Sequence, residues 1–160
     1  MQNTLLQLSA TPAFKVSEIS YPRMRLSGSG GIIPAALASL KHFAYVSQFL
    51  SAAHFPENPE IDPWDDELVF FPVRRLSRIP NILRKFGLHP PTYHHAAAFG
   101  LAIKDSPVVG PVIFPHEPVV IPALEALGKH RVSYVVERSS LACVCYMHVL
   151  TRPAWVVGLV

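Results

Sequence analysis

Sixteen prolines are spread along 160 residues, and few stretches run far without one. Proline fixes its own φ, lacks an N–H and biases the residue before it away from the α region. The chain must therefore fold as short elements between frequent breaks. Half of its residues are apolar and 16% are charged, which excludes the disordered class and supplies a core. The length fits one domain over 1–160.

One long proline-poor apolar stretch follows a glycine loop. Ile33, Ala36, Leu37, Leu40, Phe43, Ala44 and Leu50 recur at helical spacing, which predicts a helix from Ile33 to Leu50 with Pro34 in its first turn. "LVFFPV" reads as a strand. "RRLSRIPNILRKFG" reads as a helix stopped by Gly87 and started irregularly because of Pro80. "HHAAAFGLAIK" and "VVGPVIF", separated by "DSP", read as a hairpin. "EPVVIPALEALGK" reads as a short helix. "RVSYVVER", "LACVCYMHVL" and "AWVVGLV" read as a C-terminal antiparallel β-meander, with "LACVCYMHVL" central because both its faces are apolar. Further upstream, "AFKVSEI" and "RMRLS" are strand candidates. The expected fold class is α+β. The order from Leu68 to Glu137 matches a ferredoxin-like split βαβ core, carrying an added N-terminal helix and the C-terminal meander.

Two apolar segments, Gly31–Phe55 and Leu141–Val160, are interrupted by Lys41, His42, Arg152 and Pro153, so no membrane span is expected. The N-terminus lacks the basic and apolar regions of a secretory signal. The cysteines, Cys143 and Cys145, are two residues apart on one strand and poorly placed for a disulfide. A reducing, cytoplasmic location follows as the expectation.

Charge is arranged in two blocks. Glu57, Glu60, Asp62, Asp65, Asp66 and Glu67 hold more than half of the eleven acids. Arg74, Arg75, Arg78, Arg84 and Lys85 follow almost at once. A basic helical face neutralises phosphates and gives salt-dependent affinity, so these five residues are the candidate nucleic-acid contacts. The same face can instead pair with the acidic block or with a partner subunit.

Gly28, Ser29, Gly30 and Gly31 precede the expected helix. Glycine-freed N–H groups at a helix start can cradle phosphate. Neither a third small residue nor a Lys-Ser/Thr pair follows, and no G-x-S-x-G elbow occurs. The loop is a candidate phosphate site, with a strand-to-helix corner as the alternative. His94 and His95 are the catalytic candidates, and on a strand only one of them would enter a given cleft. No ligand set at zinc spacing occurs, so neither metal nor cofactor is expected. "VVGPVIF" offers one aromatic, Phe114, too few for base stacking of the RNA-recognition-motif kind.

Three functions follow as expectations. The first is a small basic protein that contacts nucleic acid or serves in an assembly. The second is an enzyme or binding domain for a phosphate-bearing small molecule, using the glycine loop and a nearby histidine. The third is a structural subunit of a homo-oligomer. Each can be built on the same scaffold, so the choice rests on the site.

Overall fold

A computed structural model of the chain describes residues 21–122, 132–137, 140–145 and 149–160. The fold is α+β. Seven strands, β1 (Arg23–Gly28), β2 (Tyr45–Val46), β3 (Trp64–Arg75), β4 (Val112–Val119), β5 (Val132–Val136), β6 (Ser140–Cys145) and β7 (Val149–Leu159), form one sheet. Among the described residues, two α-helices accompany it, α1 (Ile79–Phe86) and α2 (Tyr93–Leu101). The strand order is β1-β3-β7-β4-β5-β6-β2. The β4–β7 and β2–β6 pairs are parallel and the other pairs are antiparallel.

β3 organises the molecule. Its side chains alternate between faces, and so do its contacts. Leu68 and Phe70 join one core cluster with Phe99 of α2, Phe114 and Val157. Val69, Phe71 and Val73 join another with Ile79 and Leu83 of α1, Ile113 and Val156. Burial on both faces is the reason the segment reads as a continuous apolar run. "LVFFPV" is thus a strand as expected.

The α1 expectation also holds. A 3₁₀ turn, Leu76–Arg78, leads into the helix, with Pro80 in its first turn. Gly87 ends it at φ 65°, and its N–H returns to the Arg84 and Leu83 carbonyls. Only glycine takes that left-handed conformation without a Cβ penalty.

Four expectations change. The helix over Ile33–Leu50 is absent. Its start is a 3₁₀ segment, Pro34–Ser39, and its middle includes β2, paired with β6. Ser39 donates to the Ala36 carbonyl and Ser47 accepts from the Phe49 N–H, local bonds that compete with the helical ladder. Leu37, Phe43 and Leu50 are nonetheless buried, so the apolar spacing served an irregular path.

"HHAAAFGLAIK" is a helix through most of its length, not a strand. α2 is buried from His94 to Gly100, and burial on all sides erases helical periodicity. Its alanines and the Thr92 cap are the local reason for the helix. With this segment helical, the ferredoxin-like order of 68–137 is not formed. The predicted hairpin with "VVGPVIF" is lost too, and β4 begins only at Val112.

The C-terminal meander is a β5–β6 hairpin plus a strand that leaves it. β7 inserts between β3 and β4, antiparallel to the first and parallel to the second. Ala154, Val156 and Val157 are buried, which suits a strand covered on both faces. The strand candidate "AFKVSEI" lies outside the described residues, as do residues 123–129 of "EPVVIPALEALGK", whose start, 117–119, is the end of strand β4 and not helix. Among the described residues, no helix is long and apolar enough to cross a membrane.

Candidate functional site

β3 carries one charge block at each end, and the two ends are treated differently. At its start, β1 lies antiparallel to it, with Arg25 opposite Glu67 and Ser27 opposite Asp65. Diagonal cross-strand neighbours are within reach of long side chains. Arg23 therefore meets Glu67 at 3.3 Å, and Arg25 meets both carboxylate oxygens of Asp65 at 3.1 and 3.2 Å. The Asp65 carboxylate raises the pKa of the Arg25 guanidinium by hydrogen bonding and by charge.

The third acid turns inward. Trp64 and Asp66 share the parity of Leu68 and Phe70, so they face α2. His95 donates from Nε2 to Asp66 Oδ2 at 2.9 Å, and its ring stacks on Trp64 at 4.0 Å. Its Nδ1 accepts from the Thr92 N–H at 3.0 Å, with the Thr92 hydroxyl 2.8 Å away. This is a capping box with histidine in the position glutamate or glutamine usually takes. Burial lowers the pKa of His95, and the Asp66 hydrogen bond opposes that effect. Thr92, His95 and Asp66 follow the order of nucleophile, base and orienter. The Nδ1 lone pair, however, already serves the Thr92 N–H, so the group clamps the start of α2 to β3.

The other end of β3 has no such partners. Arg74 and Arg75 close the strand, Arg78 lies in the 3₁₀ turn, and Arg84 and Lys85 lie in the last turn of α1. All five are exposed. An extended strand rises about 3.3 Å per residue, which sets Arg75 roughly 30 Å from Asp66. The Asp66 carboxylate therefore lies too far along the strand to neutralise Arg75. Among the described residues, the ion pairs are Arg23–Glu67, Arg25–Asp65 and His95–Asp66, and none uses the basic block. Lys85 rests over the Phe86 ring at 5.5 Å. Arg84 and Lys85 also complement the negative end of α1, a role that leaves Arg74, Arg75 and Arg78 unexplained. Beside the block runs a largely apolar groove of ≈ 720 Å³, walled by Leu76, Ile79, Leu83 and Pro115, with Arg84 on its lining.

The glycine loop is a packed corner. The Ile32 N–H donates to the Ser29 carbonyl at 3.2 Å, and the Gly31 N–H to the Ser29 hydroxyl at 3.3 Å. The Gly30 carbonyl accepts from the Asn58 N–H at 2.8 Å. A Cβ on Gly30 would collide with the Asn58 carbonyl oxygen, and one on Gly28 with the Trp64 ring. Close approach of backbone to backbone is why glycine stands at position 30. A short 3₁₀ segment follows, so the loop does not open an α-helix.

His94 points away from His95. Its Nδ1 lies 2.8 Å from the Ile32 carbonyl oxygen, which can only accept, so Nδ1 carries the hydrogen. Nε2 is then an acceptor, buried and without a hydrogen-bond partner among the described residues. An unmet buried polar atom costs about 1–3 kcal/mol. His94 lines a cleft of ≈ 250 Å³ together with Asn58, Thr92, Tyr93, His116 and Glu117. The cleft adjoins the glycine corner through Asn58 and His94, but no glycine of that corner lines it. Burial lowers the His116 pKa to about 4, and its Nδ1 donates to the Glu117 carbonyl at 2.7 Å. No family model, curated protein or solved structure matches this chain. Among the described residues, no three or more histidine, cysteine or acidic side chains gather as metal ligands do.

Proposed function

We propose that the protein binds a phosphate polyanion of the nucleic-acid class through Arg74, Arg75, Arg78, Arg84 and Lys85, alone or within an assembly. One observation carries this reading. The five cations are exposed at the end of β3 and over α1, while the acids nearest in sequence are engaged by β1 and α2. An unneutralised cluster of this kind releases counterions from a phosphate backbone when it docks, and that release supplies sequence-independent affinity. The Phe86 ring beside Lys85 is packed against Phe71 and Tyr21, which favours backbone contact over base stacking.

The test is binding of labelled duplex DNA and single-stranded RNA, followed by fluorescence anisotropy at low salt. Replacing all five residues with alanine is expected to abolish binding in the measurable range. Replacing Arg23 and Arg25, whose charges are already paired, is expected to leave it nearly intact. Equal losses from the two variants would mean that net charge alone, and not this surface, makes the contact.

A further inference from the structure

The start of α2 ties three separate parts of the chain together. Thr92 and His95 close its capping box, and His95 Nε2 holds Asp66 of β3. Tyr93 donates its hydroxyl hydrogen to the Pro56 carbonyl at 2.7 Å. His94 donates from Nδ1 to the Ile32 carbonyl beside the glycine corner.

The cap depends on a single lone pair. A glutamate or glutamine in this position accepts through an oxygen with two lone pairs, whereas an imidazole nitrogen has one. The Thr92 N–H at 3.0 Å and the Thr92 hydroxyl at 2.8 Å both face His95 Nδ1. A backbone N–H can only donate, so Nδ1 is bare and the ring hydrogen sits on Nε2, against Asp66 Oδ2 at 2.9 Å. One neutral tautomer alone satisfies both partners. A second proton has only Nδ1 to enter, and it turns that acceptor into a donor. Thr92 Oγ1 can take the new hydrogen, but the Thr92 backbone N–H loses its acceptor. The imidazolium meanwhile holds the Asp66 carboxylate more tightly. The ring therefore stays on β3, and the backbone at Thr92 lets go.

The surroundings make this an acid-side event. Among the described residues, the ionisable groups that act on the ring are Asp66, which favours its charged form, and His94, which opposes it. The arginines of β1 lie on the face of Asp65 and Glu67, and Met24 and Leu26 share the face of Asp66. The 3₁₀ segment Pro34–Ser39 carries no ionisable residue, and β5 carries only Tyr134, which does not titrate near neutrality. β4 contributes the exposed Glu117 and His116, whose ring meets that of Tyr93. Burial outweighs the Asp66 bond and lowers the His95 pKa, so the ring takes its second proton on the acid side of about 6.5.

We propose that His95 is an acid-sensitive latch on α2: a proton on Nδ1 releases the Thr92 N–H and opens the start of the helix, while the ring stays on Asp66. Thr92, Tyr93 and His94 loosen together, and with them the contacts to Pro56 and Ile32. The basic block lies on α1 and the far end of β3, so the latch is independent of nucleic-acid binding.

The experiment follows the full chain by NMR from about pH 8 to about pH 5, a range that brackets a free imidazole. Ring ¹⁵N shifts report the tautomer and titration of His95, and hydrogen-exchange protection of the Thr92 amide reports the latch. The Nε2–H tautomer is expected at high pH. Thr92 protection should fall by about tenfold or more as His95 titrates, while core amides of β3 and β7 keep theirs. His95→Gln retains the capping box with a side chain that does not titrate, and its Thr92 protection should stay flat. Asp66→Asn keeps an acceptor for Nε2–H and removes the charge that favours the imidazolium, so the wild-type transition should move to lower pH. The Asp66→Asn shift carries the test should His95→Gln fail to fold. A ring that stays neutral throughout, Thr92 protection that is constant while His95 titrates, an equal fall in His95→Gln, or an unmoved transition in Asp66→Asn would each overturn the proposal.

Discussion

The two ends of β3 make the most instructive contrast in the molecule. At its start, the charges face strand β1 or helix α2 and are paired. At its finish, the charges face outward and are not. The difference is topological. Antiparallel β1 covers only Trp64–Val69 of β3, so it brings arginines to the acids and nothing to the far arginines. A charge block that the fold satisfies belongs to stability. A charge block that the fold leaves bare is available to a partner.

Substitutions at the bare end should therefore alter binding and leave stability alone. Alanine at Arg74, Arg75, Arg78, Arg84 and Lys85 together should lower nucleic-acid affinity about a thousandfold at low salt, or ~4 kcal/mol. Urea denaturation should then differ from wild type by no more than ~0.5 kcal/mol per site. A large loss of stability would break the contrast.

The α2 side of the sheet, where Asp66 is paired, should respond to acid. His116 has a folded pKa near 4, below the ~6.5 of a free imidazole. The unfolded chain therefore takes up the proton first as pH falls. Full stability is present above about pH 6.5 and is lost as pH drops toward 4, by about 3 kcal/mol. His116→Asn should flatten that part of the stability–pH curve. Stability that is constant over this window in wild type would contradict the buried, neutral assignment.

Smaller effects sharpen the paired end. His95→Ala removes the Asp66 bond, the Trp64 stack and half of the cap, and should cost about 2–3 kcal/mol in urea titrations. Gly30→Ala should cost about 1–3 kcal/mol, because the Asn58 carbonyl must move. Neither should change nucleic-acid affinity. A loss of phosphate-dependent binding in Gly30→Ala with stability intact would reinstate the glycine loop as an anion site.

Much of the fold was legible where one element carried its own signal. The run "LVFFPV" and the sequence from Leu76 to Gly87 announced β3 and α1 through burial pattern, Pro80 and a glycine stop. Legibility failed where burial was complete or partners were distant. α2 is buried from His94 to Gly100, so its only local marks were three alanines and Thr92. The place of β7 between β3 and β4 depends on pairings with segments about 40 and 85 residues upstream, for which no local signal exists.

The site divides the same way. The five basic residues were readable as a block, but their unpaired state was not, because it depends on which strand reaches the acids. His94 and His95 do diverge, yet for a helical reason: successive residues on a helix turn by about 100°. One meets the Ile32 carbonyl and the other meets Asp66. The carboxylate partner of His95 was hidden in the acidic block, and parity along β3 would have selected Asp66 once α2 was known to cover that face.

The central claim, that the bare end of β3 and α1 contacts phosphates, is tested most directly by the salt dependence of binding. The logarithm of the binding constant for duplex DNA should fall linearly with the logarithm of salt concentration, at about 0.9 per phosphate contacted. Each single alanine substitution among the five should reduce that slope by about 1, while Arg25→Ala leaves it unchanged. A slope near zero, or one equally insensitive to all six substitutions, would contradict the account.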